Sequence, residues 1–247
     1  MRYPATAMPL IALLIMFTQL FMSQAALADT KKIEVTLNFQ IITQLSIPKG
    51  SYYLTSWISE DDIRRKVLPE INRIWKPANI EFVEGMILTR PALNPADRKQ
   101  MTDYIANATR DENGKADPDR IEYLSELIDF TEETSRSLNV YFVPYLGETS
   151  QGHAQRKLKR AFIGQWTDKA SRGESQPERF KLIEHGTFID GSIARTAAHE
   201  IGHLLKLQHP DKHEQTEFNR LMGGKNPGYI LTAEEIKRAR KQAQKIN

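Results

Sequence analysis

The stretch Thr196-Ala197-Ala198-His199-Glu200-Ile201-Gly202-His203-Leu204-Leu205-Lys206-Leu207-Gln208-His209 decides how this chain is read. Residues four apart share one face of an α-helix, so His199 and His203 can point at one ion. Zinc binds imidazole nitrogen at about 2.0–2.1 Å, which requires tightly converging ligands. Glu200 follows the first histidine and projects at the rim of the same face. There it can take a proton from a water that a metal has activated. The spacing predicts a metal site with a built-in general base. A catalytic site needs a third protein ligand and one open position. His209 is the candidate, but on a straight helix it would lie about 80° around and about 15 Å along from His199. The helix must therefore end after Leu205 and double back, a break that calls for a left-handed residue. Asp211, His213 and Glu214 are nearby alternatives for the third ligand. Two histidines at helical spacing with no metal are the ordinary alternative, and the third histidine weighs against it.

The run from Thr196 to His209 resembles the metzincin zinc peptidases, whose pattern is H-E-x-x-H-x-x-G-x-x-H with a methionine turn downstream. Asn219-Arg220-Leu221-Met222-Gly223-Gly224 resembles that turn. The nearest manner is that of small bacterial matrixin-like or reprolysin-like enzymes. The resemblance implies a zincin-like α/β (α+β) catalytic domain with a twisted, mostly parallel sheet, an active-site helix and a smaller C-terminal subdomain. It implies Zn2+ held by His199, His203 and His209, Glu200 as general base, and a protein or peptide substrate. Met222 would form an apolar floor beneath the metal without ligating it, and Tyr229 could stabilise the oxyanion. The family's glycine falls at Lys206, where a left-handed lysine costs about 1 kcal/mol relative to glycine. The other large class of zinc peptidases takes a glutamate from a later helix, which would make Glu234 or Glu235 the third ligand. That choice leaves His209 and Met222 unexplained. A non-catalytic zinc-dependent binding module is the alternative of a different class. Lys206 speaks for it and Glu200 against it.

Residues 1–28 read as a signal peptide. Arg2 supplies the positive start, Pro9 to Met22 is apolar apart from Thr18 and Gln19, and Ala26-Leu27-Ala28 fits a cleavage site. The apolar run is short for a membrane span. The expectation is export, secreted or periplasmic, with no stable span after cleavage and residues 29–247 as one catalytic domain. There is no cysteine, which excludes a thiol nucleophile and a cysteine-to-zinc latency switch. The first strand starts close to the cleavage site, leaving no room for a folded propeptide. Net charge is +3, and +2 without Arg2; this argues against a nucleic-acid partner. Oligomeric state is not legible.

Ile33, Val35, Leu37, Phe39 and Ile41 alternate as in a half-buried strand. Ser59 and Asp62 form a capping box for a helix whose buried stripe is Ile63, Val67, Ile71 and Ile74, with Ile58 as staple. Pro77 closes it and Ile80 to Val83 begins a second strand. A short helix near 95–107 and a loop follow. Asp111, Asn113 and Asp117 suggest calcium, but the EF-hand spacing fails at Lys115, and Asn107-Ala108-Thr109 is a formal glycosylation sequon. Ile121, Leu124, Leu127 and Ile128 mark a further helix. Leu138 to Phe142, Ala161 to Trp166 and residues 179–188 read as strands. By family resemblance the strand Phe162, Ile163, Gly164 and Gln165 is the free edge along which substrate pairs. Arg156, Lys157, Lys159 and Arg160 read as a solvated basic loop, or else as a surface for acidic substrates or an anionic envelope. His153 and His185 read as ordinary polar residues, though His153 could line the cleft. Ser192 caps the histidine-bearing helix, and Thr232 with Glu235 caps the last one, with Leu231 stapled to Ile236.

Overall fold

The alternating apolar run at the start becomes β1 (Ile33–Thr43). Ile33, Val35, Leu37, Phe39 and Ile41 are all buried. So are the intervening Asn38, Gln40 and Ile42, which corrects the half-buried reading. β1 is an inner parallel strand with layers packed on both faces, and such strands lose the polar half of the alternation. The computed structural model describes residues 31–49, 52–94, 126–146, 151–166, 183–184, 187–188, 192–210, 220–223 and 228–246. The proposed signal segment, the helix near 95–107, the sequon, the calcium candidates, His185, Asp211, His213 and Glu214 lie outside them.

After β1, a small hairpin pairs β2 (Ile47–Lys49) with β3 (Tyr52–Leu54). Ser59 then opens a helix in three parts. These are α1 (Glu60–Asp62), a π turn at Ile63–Val67 and α2 (Leu68–Trp75). The capping box is present: the Ser59 hydroxyl accepts from Asp62 N, and the Asp62 carboxylate accepts from Ser59 N. Ile63, Val67, Ile71 and Ile74 are buried, as their spacing predicts. The π turn precedes Pro69, which brings no N–H to the helical ladder.

β4 (Ile80–Pro91) runs parallel to β1. The register shifts between Leu37 and Phe39. Asn38 fills the irregularity, accepting from Met86 N at 3.0 Å and donating to Ser137 Oγ at 2.9 Å and Asn139 Oδ1 at 3.1 Å. β5 (Ser137–Val143), β6 (Gly152–Gln155) and β7 (Arg160–Gly164) complete a five-stranded sheet of order β4-β1-β5-β7-β6. The β1–β4, β1–β5 and β5–β7 pairs are parallel, while β6 is antiparallel to β7. The fold is thus mixed α/β around a mostly parallel sheet.

The free edge differs from the expectation. Phe162 and Ile163 lie inside the sheet, paired with β5 on one side and β6 on the other, and Gly164 pairs with β5 and donates its N–H to Gln151 O. Just past the strand, Gln165 N donates to Val143 O. Its carboxamide oxygen accepts from Trp57 N at 2.7 Å and Ile58 N at 3.0 Å. The edge is β6. Gly152-His153-Ala154-Gln155 carries no apolar alternation and sends no strand signal. Lys159, at φ 55, helps turn β6 back into β7.

The expected fifth strand within 179–188 is a separate hairpin of β8 (Ile183–Glu184) and β9 (Thr187–Phe188). The remaining helices are α3 (Ile193–Leu204) and α4 (Ala233–Ala243). Ser192 Oγ accepts from Arg195 N, and Thr232 with Glu235 forms the second capping box. The α3 residues Ile193, Ala197, Ile201 and Leu204 are buried. No helix among the described residues is long and apolar enough to cross a membrane.

Candidate metal centre

α3 carries His199 and His203 on its buried side. The helix ends at Leu204 and Lys206 takes the left-handed conformation, φ 66. Leu207 N then bonds Gly202 O at 2.9 Å, and the chain doubles back to His209. A lysine takes the left-handed conformation that the reversal needs, at a steric cost of about 1–2 kcal/mol.

The three Nε2 atoms converge. His209 Nε2 lies 3.0 Å from His199 Nε2 and 3.1 Å from His203 Nε2. A tetrahedral zinc would hold such nitrogens about 3.3–3.4 Å apart, so a small outward movement suffices. The opposite ring nitrogens fix the tautomers. His199 Nδ1 is 2.7 Å from Leu221 O, and His203 Nδ1 is 3.0 Å from Leu207 O. A carbonyl can only accept, so His199 Nδ1 carries the proton and its Nε2 presents a lone pair; at His203, whose Nδ1 also lies 3.1 Å from Arg156 Nη2, ligation through Nε2 calls for the same form. With His209 Nε2 also unprotonated, three lone pairs would face one another, an arrangement that a cation between them stabilises. The donor set therefore fits a metal ion of the zinc class.

The electrostatics agree. Burial, reinforced by Arg195 and the neighbouring histidines, holds His199 well below the usual imidazole range. Burial depresses His203 to about 4 and also lowers His209, with Arg156 and Arg195 adding to the latter. All three rings are neutral near pH 7, the form that binds metal. Glu200 is also buried, and burial raises its carboxyl to about 8 while Arg195 and Arg156 pull the other way. A bound dication would add a larger pull in the same direction.

Two glycines show how closely the site is packed. A Cβ on Gly152 of β6 would fall 2.5 Å from Glu200 Oε1, so the carboxylate rests against the backbone of that strand. A Cβ on Gly202 would fall 2.6 Å from Met222 Sδ. Met222 is fully buried and its sulfur packs against α3 at Gly202. Arg195 ties that segment to the helix, donating to Leu221 O at 2.8 Å, Gly223 O at 3.1 Å and Gly228 O at 3.0 Å.

Other candidates go elsewhere. Glu235 caps α4 and pairs with Arg220 at 3.0 Å, and Glu234 pairs with Arg238 at 3.1 Å. Neither joins the histidine cluster, so the later-helix ligand is set aside. The basic run is not a uniform solvated loop. Arg160 is held by both Glu133 oxygens and lies over the Phe130 ring, Lys159 bonds Ser135 O, and Arg156 bonds Leu207 O. His153 pairs in register with Phe162 and, after burial, is one of the lesser contributors to the depression of His203. Tyr229 is half-buried beside Gly228.

Sequence reading missed Gly152 and Arg195. Nothing in the sequence marked Gly152. Arg195 had one signal: it lies four residues before His199, on the same helical face.

No family model matches the chain and no curated protein matches it. Among solved structures it is similar to a zinc-dependent peptidase from Methanocorpusculum labreanum strain Z. The identity is 17% over 84% of this chain and 99% of that one, with a TM-score of 0.32. It is also similar to a structure of a chaperone-substrate complex. There the identity is 14% over 87% of this chain and the TM-score 0.43. This chain spans 34% of that chain's length. With both TM-scores below one half, neither likeness carries an argument about this chain.

Proposed function

We propose that this chain is a zinc-dependent endopeptidase of metzincin type, with His199, His203 and His209 as ligands and Glu200 as general base. One observation carries the reading. Three imidazole nitrogens cluster within 4.8 Å of one another, and the buried carboxylate on the same helix packs against Gly152 of β6.

When bound, zinc supplies Lewis acidity and lowers the pKa of its water toward about 7. The chain's own groups do the rest. β6 is the outermost strand on that side of the sheet among the described residues, and an extended peptide laid beside it would follow the usual strand-addition mode. The edge strand in this reading is thus Gly152–Gln155, with Phe162–Gln165 one strand behind it. A scissile carbonyl laid along β6 near Gly152 comes next to Glu200. Glu200 takes the proton from the attacking water and later delivers it to the leaving amine. Leu221 O and Leu207 O keep the rings of His199 and His203 in the ligating tautomer. Met222 fills the space beneath α3.

The chain would work outside the cytoplasm on protein or peptide substrates, with no nucleic-acid partner. A quenched-peptide assay with and without chelator tests the activity. Glu200→Gln should keep the metal and lose turnover, and His199→Ala should lose both. Zinc uptake by a chain that cleaves no peptide in a broad mixture would favour the non-catalytic binding module.

A further inference from the structure

Each helical histidine hands its Nδ1 proton to a backbone carbonyl, and behind each carbonyl stands an arginine. Leu221 O accepts from His199 Nδ1 at 2.7 Å and from Arg195 Nη2 at 2.8 Å. Leu207 O accepts from His203 Nδ1 at 3.0 Å and from Arg156 Nη2 at 3.2 Å. The arginines come from different elements: Arg195 from α3, Arg156 from the turn between β6 and β7.

We propose that Arg156 and Arg195 are positioning residues for the metal, each pinning the carbonyl that orients one histidine ligand. The proposal rests on the metal-centre reading above.

A carbonyl has two lone pairs, so one oxygen can serve a ring N–H and a guanidinium N–H together. Arg156 Nη2 also lies 3.1 Å from His203 Nδ1. Two donors cannot bond each other, so that approach marks the two N–H groups sharing Leu207 O. The position of Leu207 matters twice. It follows the left-handed Lys206 and precedes His209 by two residues, so holding its carbonyl fixes the reversal that aims the third ligand. Lysine in the left-handed position leaves that reversal less secure than glycine would. Arg156 restrains it from outside, and it connects the ligand loop to the strand edge where substrate is proposed to lie. Arg195 does the corresponding work on the other side, bonding three carbonyls around Met222.

The test measures zinc affinity of the full chain, prepared metal-free, by competition against a chromophoric chelator. Arg156→Met and Arg195→Met should each weaken binding about 10–100-fold, the usual loss for a group supporting a ligand. Arg156→Lys should recover part of it. In the zinc-loaded protein the His203 Nδ1 proton, seen by NMR, should exchange faster in Arg156→Met. The melting transition of metal-free Arg156→Met should stay within a few degrees of the parent, separating positioning from folding. If that variant loses its cooperative melt, Arg156→Lys decides through the exchange rate of the same proton. Wild-type affinity with an unchanged exchange rate would overturn the proposal. A parent chain that binds no zinc would instead overturn the metal-centre reading beneath it.

Discussion

Gly152 and Glu200 are in contact across the gap between the sheet edge and α3: a Cβ at 152 would stand 2.5 Å from Oε1 and 2.6 Å from Cγ of the glutamate. The residue read as the general base is thus located by a strand that the sequence did not reveal. Gly152→Ala should push the carboxylate aside while leaving the three imidazoles in place. Peptide turnover should fall on the order of 10²-fold, the scale of a misplacement of about 1 Å. Zinc affinity should hold. Steady-state kinetics with a metal titration checks this, and unimpaired turnover would remove Glu200 from the role.

Gly202 and Met222 form a second close contact, 2.6 Å from an imagined Cβ to the sulfur. Gly202→Ala should destabilise the chain by about 1–3 kcal/mol through overpacking. Met222→Leu, which nearly conserves volume, should cost less than about 1.5 kcal/mol. Urea unfolding of the two variants measures both, and equal effects would mean that the sulfur is not packed on the helix backbone.

Lys206 bears a left-handed backbone at φ 66. Lys206→Gly removes a steric cost of about 1–2 kcal/mol and adds unfolded-state entropy of about 0.5–1 kcal/mol. The net should be a rise in melting temperature of a few degrees at most, with metal stoichiometry kept. A fall would mean that the lysine side chain contributes more than its backbone strain removes.

The metal-free protein should show opposing pH dependences. His203 is depressed from 6.5 to about 4, so the unfolded chain binds a proton that the folded chain refuses. Its contribution is complete above pH 6.5 and is lost as pH falls through about 4. Glu200 is raised from 4.5 to about 8, so the folded chain keeps a proton that the unfolded chain releases. Its contribution is complete below pH 4.5 and is lost as pH rises through about 8. Above pH 6.5 the glutamate acts without opposition from His203, with a slope of up to about 1.4 kcal/mol per pH unit. Thermal melts of metal-free protein between pH 6.5 and 8 should decline, and those of Glu200→Gln should decline much less. Parallel curves would mean that the buried carboxyl is ionised throughout.

Local signals carried far in this chain. The capping boxes at Ser59 and Thr232, the stripe from Ile63 to Ile74, and the need for a left-handed residue after Leu205 all follow from short-range rules, and all are present. The sheet edge was not legible. Gly152 to Gln155 becomes a strand through pairing with β7, and its half-buried residues show no alternation to read. The family resemblance places Phe162 and Ile163 at the edge, and nothing in the sequence announces the strand that covers them. The basic run from Arg156 to Arg160 reads as solvated charge because Glu133 and Leu207, its partners, are distant in sequence. The inward turn of His209 could be expected from chemistry, but the two carbonyls that orient His199 and His203 could not.

The most direct test of the central claim is metal content and coordination of the purified chain. X-ray absorption at the zinc edge should show one zinc per chain, with three imidazole nitrogens at about 2.0–2.1 Å and a position left for water. His209→Ala should lose one of those nitrogens. No stoichiometric metal, or a fourth protein ligand closing the site, would contradict the account.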